Sequence, residues 1–89
     1  MTQEYLQTEQ AVRGYVAKNV HCDIQKITSH TMLFKEGIFD SMAFVLLIDF
    51  LEQNFLIKAL DEELIEENFE SIEAITKYIL RKKQMLIIA

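Results

Sequence analysis

The stretch SMAFVLLIDFLEQNF, residues 41–55, is the part of the sequence that decides the fold. Its apolar residues recur at the spacing of one helix face for about four turns. The residues in this pattern are Met42, Val45, Leu47, Ile48, Leu51 and Phe55. Further apolar residues lie between them, so the helix is apolar on nearly every side and must bury more than one face. We therefore expect a helix over residues 41–55 with neighbours on several sides.

Amphipathic segments flank this stretch on both sides. Residues 3–19 predict a first helix, because apolar side chains recur at intervals of three, four and seven between charged ones. Its expected inner face consists of Tyr5, Val12, Tyr15, Val16 and Val20. The last segment predicts another helix, which begins after Ser71 as N-cap and ends with basic residues suited to the negative end of a helix dipole. Its face is Ile72, Ile75, Tyr78 and Ile79, and its basic end is Arg81, Lys82 and Lys83.

The remaining segments are a long connection and an acidic stretch. Residues 21–39 lose the helical periodicity and predict a loop, whose isolated apolar residues pin it across the helices. Residues 61–73 carry seven acids and no base, with four apolar residues among them, which indicates a short third helix or a turn. The predicted fold is all-α: a four-helix bundle of three long helices and one short, with a long loop between helices one and two. A chain of 89 residues can build one core, so we expect a single domain over residues 1–89.

The composition narrows the class of function. A net charge of -5 would repel a phosphate backbone, which argues against nucleic-acid binding. The lone Cys22 cannot form an internal disulfide, and the first residues lack the pattern of a signal peptide, so we expect a cytosolic protein. The apolar run at residues 85–89 is far shorter than the ~20 residues of a membrane span. No transmembrane segment is expected.

The residues that could carry chemistry lie in LFKEGIFDSM, residues 33–42, where a glycine-containing loop meets the start of the central helix. With Asp40 as N-cap, Ser41 becomes the first helical residue. A phosphodiester on its hydroxyl would lie beside unpaired backbone N–H groups at the positive end of the helix dipole. Taken alone, however, an Asp-Ser pair at a helix start is weak evidence for such a site, because capping by itself is the commoner explanation.

Residues 5–80 resemble the acyl and peptidyl carrier protein family. The resemblance includes the first amphipathic helix, Leu33-Phe34, the motif at residues 37–42, the apolar helix at 45–55, the acidic connector and the IEAITKYI segment at 72–79. It implies that Ser41 takes phosphopantetheine from coenzyme A, with Asp40 as the acid that precedes the attachment site. It implies a freestanding carrier, not an enzyme, that holds acyl or aminoacyl groups as thioesters. A non-catalytic interaction module in which Ser41 only caps the helix is the alternative.

The resemblance also implies partners, because the chain offers Ser41 no evident base and the hydroxyl is a weak nucleophile without one. The expected partners are a phosphopantetheinyl transferase with its metal ion, an acyl- or aminoacyl-loading ligase and downstream acyl-processing enzymes. The residues predicted to bind partners are Met42, Phe44, Leu46, Phe50, Glu66 and Glu67. Phe44, Leu46 and Phe50 stand where carriers of fatty-acid synthesis usually show several polar or acidic residues. This departure favours a dedicated pathway, such as aminoacyl, nonribosomal-peptide, polyketide or specialised-lipid synthesis.

Each of these features also has a structural explanation. Phe39 and Phe44 have the spacing of a hydrophobic staple, Leu46 and Phe50 can pack beneath the loop or in a dimer, and the acidic run can be a solvated face. We expect a monomer, with a dimer through the apolar helix face as the alternative.

Two other groups of residues have the chemistry of a site. The triplet His21-Cys22-Asp23 contains metal-ligand types but lacks the usual spacing. His30 could form a hydrolytic triad with Ser41, but the Gly-x-Ser-x-Gly turn is missing. We predict neither a metal site nor a hydrolase.

Overall fold

The computed structural model describes residues 2–19 and 24–88, and within them every regular element is helical. The four α-helices are α1 (Gln3–Asn19), α2 (Ser41–Phe55), α3 (Glu66–Phe69) and α4 (Ile72–Ile88). Short 3-10 turns lie at Ile24–Lys26 and Asp61–Glu63. The predicted all-α fold, with three long helices, one short helix and a long first connection, is confirmed. In the part of the chain described, no helix is long and apolar enough to cross a bilayer.

The core lies where α4 packs against α1 and α3. All long elements and the connection contribute apolar side chains that are at most 5% exposed. These residues are Val12, Val16, Ile27, Leu33, Phe39, Leu47, Leu51, Ile57, Phe69, Ile72, Ile75, Tyr78 and Ile79. Burying each large side chain contributes about 1.5–3 kcal/mol against the entropy of ordering the chain. The whole predicted inner face of α4 is part of this core.

The buried face of α2 differs from the predicted one. Leu47 and Leu51 are buried as expected, but Met42 and Val45 are 66% and 60% exposed. Helical spacing identifies a face only when the other faces are polar, and α2 is apolar on nearly all sides. The neighbouring elements therefore decide which side of α2 is covered.

Helix α4 begins as predicted and ends later than predicted. The backbone N–H of Ala74 donates to the Ser71 hydroxyl at 3.1 Å, which confirms Ser71 as the cap. The helix continues past the basic residues to Ile88, because no glycine or proline follows them to stop it. The residues after the basic end thus extend the last helix. The side chains of residues 85–88 lie outside the described part.

The long connection is held in place by backbone hydrogen bonds. The N–H of Leu33 donates to the carbonyl of Glu70 at 2.8 Å, and the N–H of Glu73 donates to that of Ser29 at 2.9 Å. Within the connection, Ile38 and Phe39 both donate to the carbonyl of Leu33 at 2.9 Å. Its buried side chains confirm the prediction that apolar residues pin it across the helices. Val20 and the triplet at residues 21–23 lie outside the described residues.

Candidate functional site

Ser41 is the first residue of α2, and its side chain is exposed. Asp40 precedes it in extended conformation, with φ -108° and ψ -172°. The N–H of Ala43 donates to Asp40 Oδ1 at 2.8 Å, and the N–H of Phe44 donates to the Asp40 carbonyl at 3.0 Å. These bonds confirm Asp40 as the N-cap. The N–H groups of the first helical residues have no acceptor within the helix, so Ser41 lies beside a local positive potential.

The residues before the cap explain why Ser41 faces solvent. Phe39 is 3% exposed and anchors the chain in the core immediately before the helix. Gly37 has φ +73°, a backbone conformation that side chains disfavour, and this allows the turn that brings Phe39 back beside Leu33. Burial of Phe39 and the start of α2 leave Asp40 and Ser41 on the surface.

A cleft of about 360 Å³ opens beside Ser41. It is lined by Phe34, Phe39, Asp40, Ser41, Phe44, Leu64 and Glu66. A second cleft of about 320 Å³ lies further along α2 and is lined by Phe44, Val45, Ile48, Asp49, Glu52 and Leu64. The two clefts share Phe44 and Leu64, so both lie between α2 and the segment that precedes α4. Ser41 therefore stands at one end of a surface that is apolar with acidic margins.

A comparison with protein families bears directly on this serine. A family model described as the phosphopantetheine attachment site matches residues 10–79, which is most of the chain from α1 into α4. The chain belongs to this family. Members of the phosphopantetheine attachment family act as carriers and hold phosphopantetheine as a covalent prosthetic group. A search of the curated proteins found no match.

The residues at the start of α2 fit a phosphopantetheine group. A covalent phosphodiester needs an accessible hydroxyl, and Ser41 is exposed. The negative charge of the phosphate is favoured by the N-terminal N–H groups of α2. The adjoining cleft offers the rings of Phe34 and Phe44 to the apolar parts of a prosthetic arm. When bound, the group supplies a terminal thiol.

The residues predicted to bind partners do not share one exposed face. Met42 and Leu46 are 66% and 51% exposed, and Glu66 and Glu67 are exposed at the start of α3. Phe44 and Phe50 are half-buried instead. The Phe44 ring meets Phe69 edge-on at 5.3 Å between centroids, and the Phe50 ring stacks on Tyr15 at 4.2 Å. The partner role of all six residues stays a prediction, and Phe44 and Phe50 are only partly exposed.

In the predicted staple, Phe39 and Phe44 are connected through a third ring, that of Phe34. Both rings contact the ring of Phe34 edge-on, at 5.8 and 5.6 Å between centroids. Phe34 therefore joins the residue before the cap to the first turn of α2. Edge-on aromatic pairs contribute about 0.5–1.5 kcal/mol beyond their buried area.

Sequence reasoning missed several residues beside Ser41. Helical spacing assigns Val45 to the buried face of α2, and Leu64 and Ile65 are given no role at the site within the predicted short helix or turn, yet all three side chains are exposed. A signal for the exposed apolar face was present in the sequence. Val45 and Leu46 follow Met42 by three and four residues, which places Met42, Val45 and Leu46 on one face of α2.

The two other candidate sites gain no support. His30 Nδ1 lies 3.3 Å from a carboxylate oxygen of Glu73 on α4, and His30 is not among the residues that line the cleft at Ser41. Within the described residues, no three His, Cys, Asp or Glu side chains are grouped as metal ligands. The triplet His21-Cys22-Asp23 lies outside those residues.

Replacing Asp40 by alanine is expected to lower the free energy of unfolding by about 1 kcal/mol, because the N–H of Ala43 loses its acceptor. Asp40→Asn keeps an oxygen at this position and should lose about half as much or less. Urea unfolding followed by circular dichroism measures both. Equal, negligible losses would show that the cap bond contributes nothing to the start of α2.

Proposed function

We propose that Ser41 is the attachment site of phosphopantetheine and that the chain carries acyl or aminoacyl groups for a dedicated biosynthetic pathway. The observation that supports the site most directly is the exposed Ser41 hydroxyl at the capped start of α2, beside an apolar cleft. In the loading reaction, Ser41 Oγ forms a bond to phosphorus and loses its proton. The P–O bond of the coenzyme A pyrophosphate breaks, and the nucleotide half leaves with the second phosphate.

The chain itself positions the hydroxyl and does not activate it. One oxygen of the Asp40 carboxylate already accepts the N–H of Ala43, so Asp40 holds the start of the helix. A serine hydroxyl needs a base to become a good nucleophile. We therefore assign activation to the phosphopantetheinyl transferase and its metal ion. The capped helix end keeps Ser41 at a fixed place on the surface where that enzyme can reach it.

The exposed side of α2 next to Ser41 is the proposed docking surface for partner enzymes. Met42, Val45 and Leu46 form an apolar stripe that is more than half exposed, and Glu66 and Glu67 add negative charge nearby. Interfaces commonly combine such an apolar centre with a polar rim. This composition supports the proposal that the partners docking here are a loading ligase and acyl-processing enzymes of a specialised pathway. The cytosolic location and the single domain stay predictions.

Incubation of the purified protein with coenzyme A, magnesium and a broad-specificity phosphopantetheinyl transferase tests the attachment. The expected result is an increase in intact mass equal to one phosphopantetheine group. An unchanged mass under conditions that modify a known carrier would contradict the carrier role. It would favour the alternative of a helical interaction module.

Leu46→Glu is expected to impair transfer of the cargo to a partner enzyme about tenfold or more, because it places a charge at the centre of the apolar stripe. The unfolding free energy should change by less than about 0.5 kcal/mol, since the side chain is 51% exposed. Leu6→Glu is the matched control on α1, where Leu6 is 45% exposed. If both variants transfer cargo equally well, the stripe is not the docking surface.

A further inference from the structure

The carboxylate of Glu63 is the centre of a polar network that joins the Asp61–Glu63 turn to α4. Its Oε1 accepts from Lys82 Nζ at 2.9 Å, from the Tyr78 hydroxyl at 3.1 Å and from the N–H of Leu60 at 2.9 Å. Lys82 Nζ also lies 3.2 Å from Oε2. The side chains of Glu63 and Lys82 are only 20% and 11% exposed. Most surface ion pairs are far more solvated, so this pair is held more firmly than they are.

A second connection runs in parallel with the first. The side-chain amide of Asn68 donates to the carbonyl of Glu63 at 2.8 Å, and Arg81 donates to Asn68 Oδ1 at 3.0 Å. We call Glu63, Asn68, Tyr78, Arg81 and Lys82 the Glu63 network. Three of its members belong to α4 and two to the segment before it. The network therefore attaches residues 60–69 to α4.

The attached segment has little capacity to hold its own shape. Its regular elements are a three-residue turn and the four-residue α3, and helices this short are unstable without tertiary contacts. Phe69 is its fully buried apolar residue, while Leu60, Leu64 and Ile65 are 38–46% exposed. The position of residues 60–65 must therefore depend largely on the polar bonds of Glu63.

The same segment forms the side of the clefts that faces α2. Leu64, which directly follows Glu63, lines both clefts, and Glu66 lines the cleft that contains Ser41. A shift of Glu63 would move Leu64 with it, because the two residues are adjacent in the chain. The width of the cleft beside Ser41 is thereby coupled to the bonds between Glu63 and α4.

The charge of Glu63 is maintained by its surroundings. Burial alone would raise the pKa of this carboxyl, but the Leu60 N–H, the Lys82 ammonium and the Tyr78 hydroxyl together lower that pKa below its ordinary value. Burial and the bond to Glu63 in turn raise the pKa of Tyr78. At neutral pH Glu63 is therefore an anion and Tyr78 a neutral donor, which is the pairing that the network requires.

We propose that Glu63 is a positioning residue for the carrier site: it holds Leu64 and Glu66 at a fixed distance from α2 and so shapes the surface that enzymes meet around Ser41. The inference rests on the proposed attachment at Ser41. Glu63 does not contact the reacting hydroxyl, since it is not among the residues lining the cleft. Its action is through the neighbouring Leu64.

Two measurements on Glu63→Ala test this role. Hydrogen exchange of the unmodified protein should be about tenfold faster at residues 61–69 and unchanged in the core of α2, because the polar attachment of the segment is lost. The transferase reaction should show a KM for the carrier raised about fivefold with kcat within about twofold, because the docking surface changes while the start of α2 does not. Glu62→Ala is the matched control, since Glu62 is exposed in the same turn and bonds to no described side chain.

Tyr78→Phe is the second variant, and it keeps the ring that the core needs while removing one donor to Glu63. It should change exchange and KM in the same direction by a smaller factor. Exchange at residues 61–69 that is equal in the Glu63→Ala and Glu62→Ala proteins would overturn the proposal, and so would faster exchange with an unchanged KM. If the wild-type protein accepts no phosphopantetheine, the proposed function fails and the positioning role falls with it. If the wild-type protein does accept the group, the results for Glu63→Ala and Tyr78→Phe test the positioning role alone.

Discussion

Ser41→Ala is expected to abolish the mass increase that the wild-type protein shows with coenzyme A and a phosphopantetheinyl transferase. The substitution removes the oxygen that would form the phosphodiester. The stability of the fold should change by less than about 0.5 kcal/mol, because the side chain is exposed. Intact-mass measurement after the reaction and thermal unfolding of the same sample distinguish loss of the site from loss of the fold.

The other two serines provide the control for this experiment. Ser29 donates to the Glu9 carboxylate at 3.0 Å, and the buried Ser71 caps α4. Neither hydroxyl is free for a bulky group. Ser29→Ala should therefore gain the same mass as the wild type. Modification that persists in Ser41→Ala would move the attachment to another residue and refute the assignment of Ser41.

Phe69→Ala should have the largest effect on stability, with a loss of about 3–5 kcal/mol in the free energy of unfolding. The side chain is fully buried, and its ring meets Phe44 at 5.3 Å and Tyr78 at 4.9 Å between centroids. Its removal leaves a cavity between α2, α3 and α4. Small domains have a total stability of only about 5–15 kcal/mol. A large fraction of the Phe69→Ala molecules should therefore be unfolded at moderate urea concentrations.

Urea unfolding followed by circular dichroism measures this loss, with Met42→Ala as the comparison. Met42 is 66% exposed, so its truncation should cost less than about 0.5 kcal/mol. Losses of similar size in the two variants would mean that the aromatic contacts of Phe69 do not hold α3 in place.

The sequence predicted most of the fold because its signals are local. The bounds of α1 and α2 follow from helical spacing, and the N-caps Asp40 and Ser71 follow from short polar side chains before an apolar run. Capping bonds join residues three positions apart, so they can be inferred without knowledge of the tertiary structure. The position of Ser41 at the start of α2 was predictable for the same reason.

The parts that were missed depend on contacts between distant segments. The exposed face of α2 is set by what covers Leu47 and Leu51, and its sequence is apolar in too many directions to show this. Glu63 looked like one acid of a solvated run, whereas its partners Tyr78 and Lys82 are 15 and 19 residues away. Nothing in the pattern of residues 61–73 distinguishes this acid from its neighbours.

The backbone bonds of the long connection have a consequence for how this sequence can change over evolution. Leu33 is fastened to Glu70 at the end of α3, and Ser29 to Glu73 of α4, through main-chain N–H and carbonyl groups, which every residue except proline possesses in full. Exposed positions of the connection, such as Lys35 and Glu36, can therefore accept many substitutions without moving the start of α2. Divergence in this segment is compatible with an unchanged location for Ser41, provided that Gly37 and the buried Phe39 are kept.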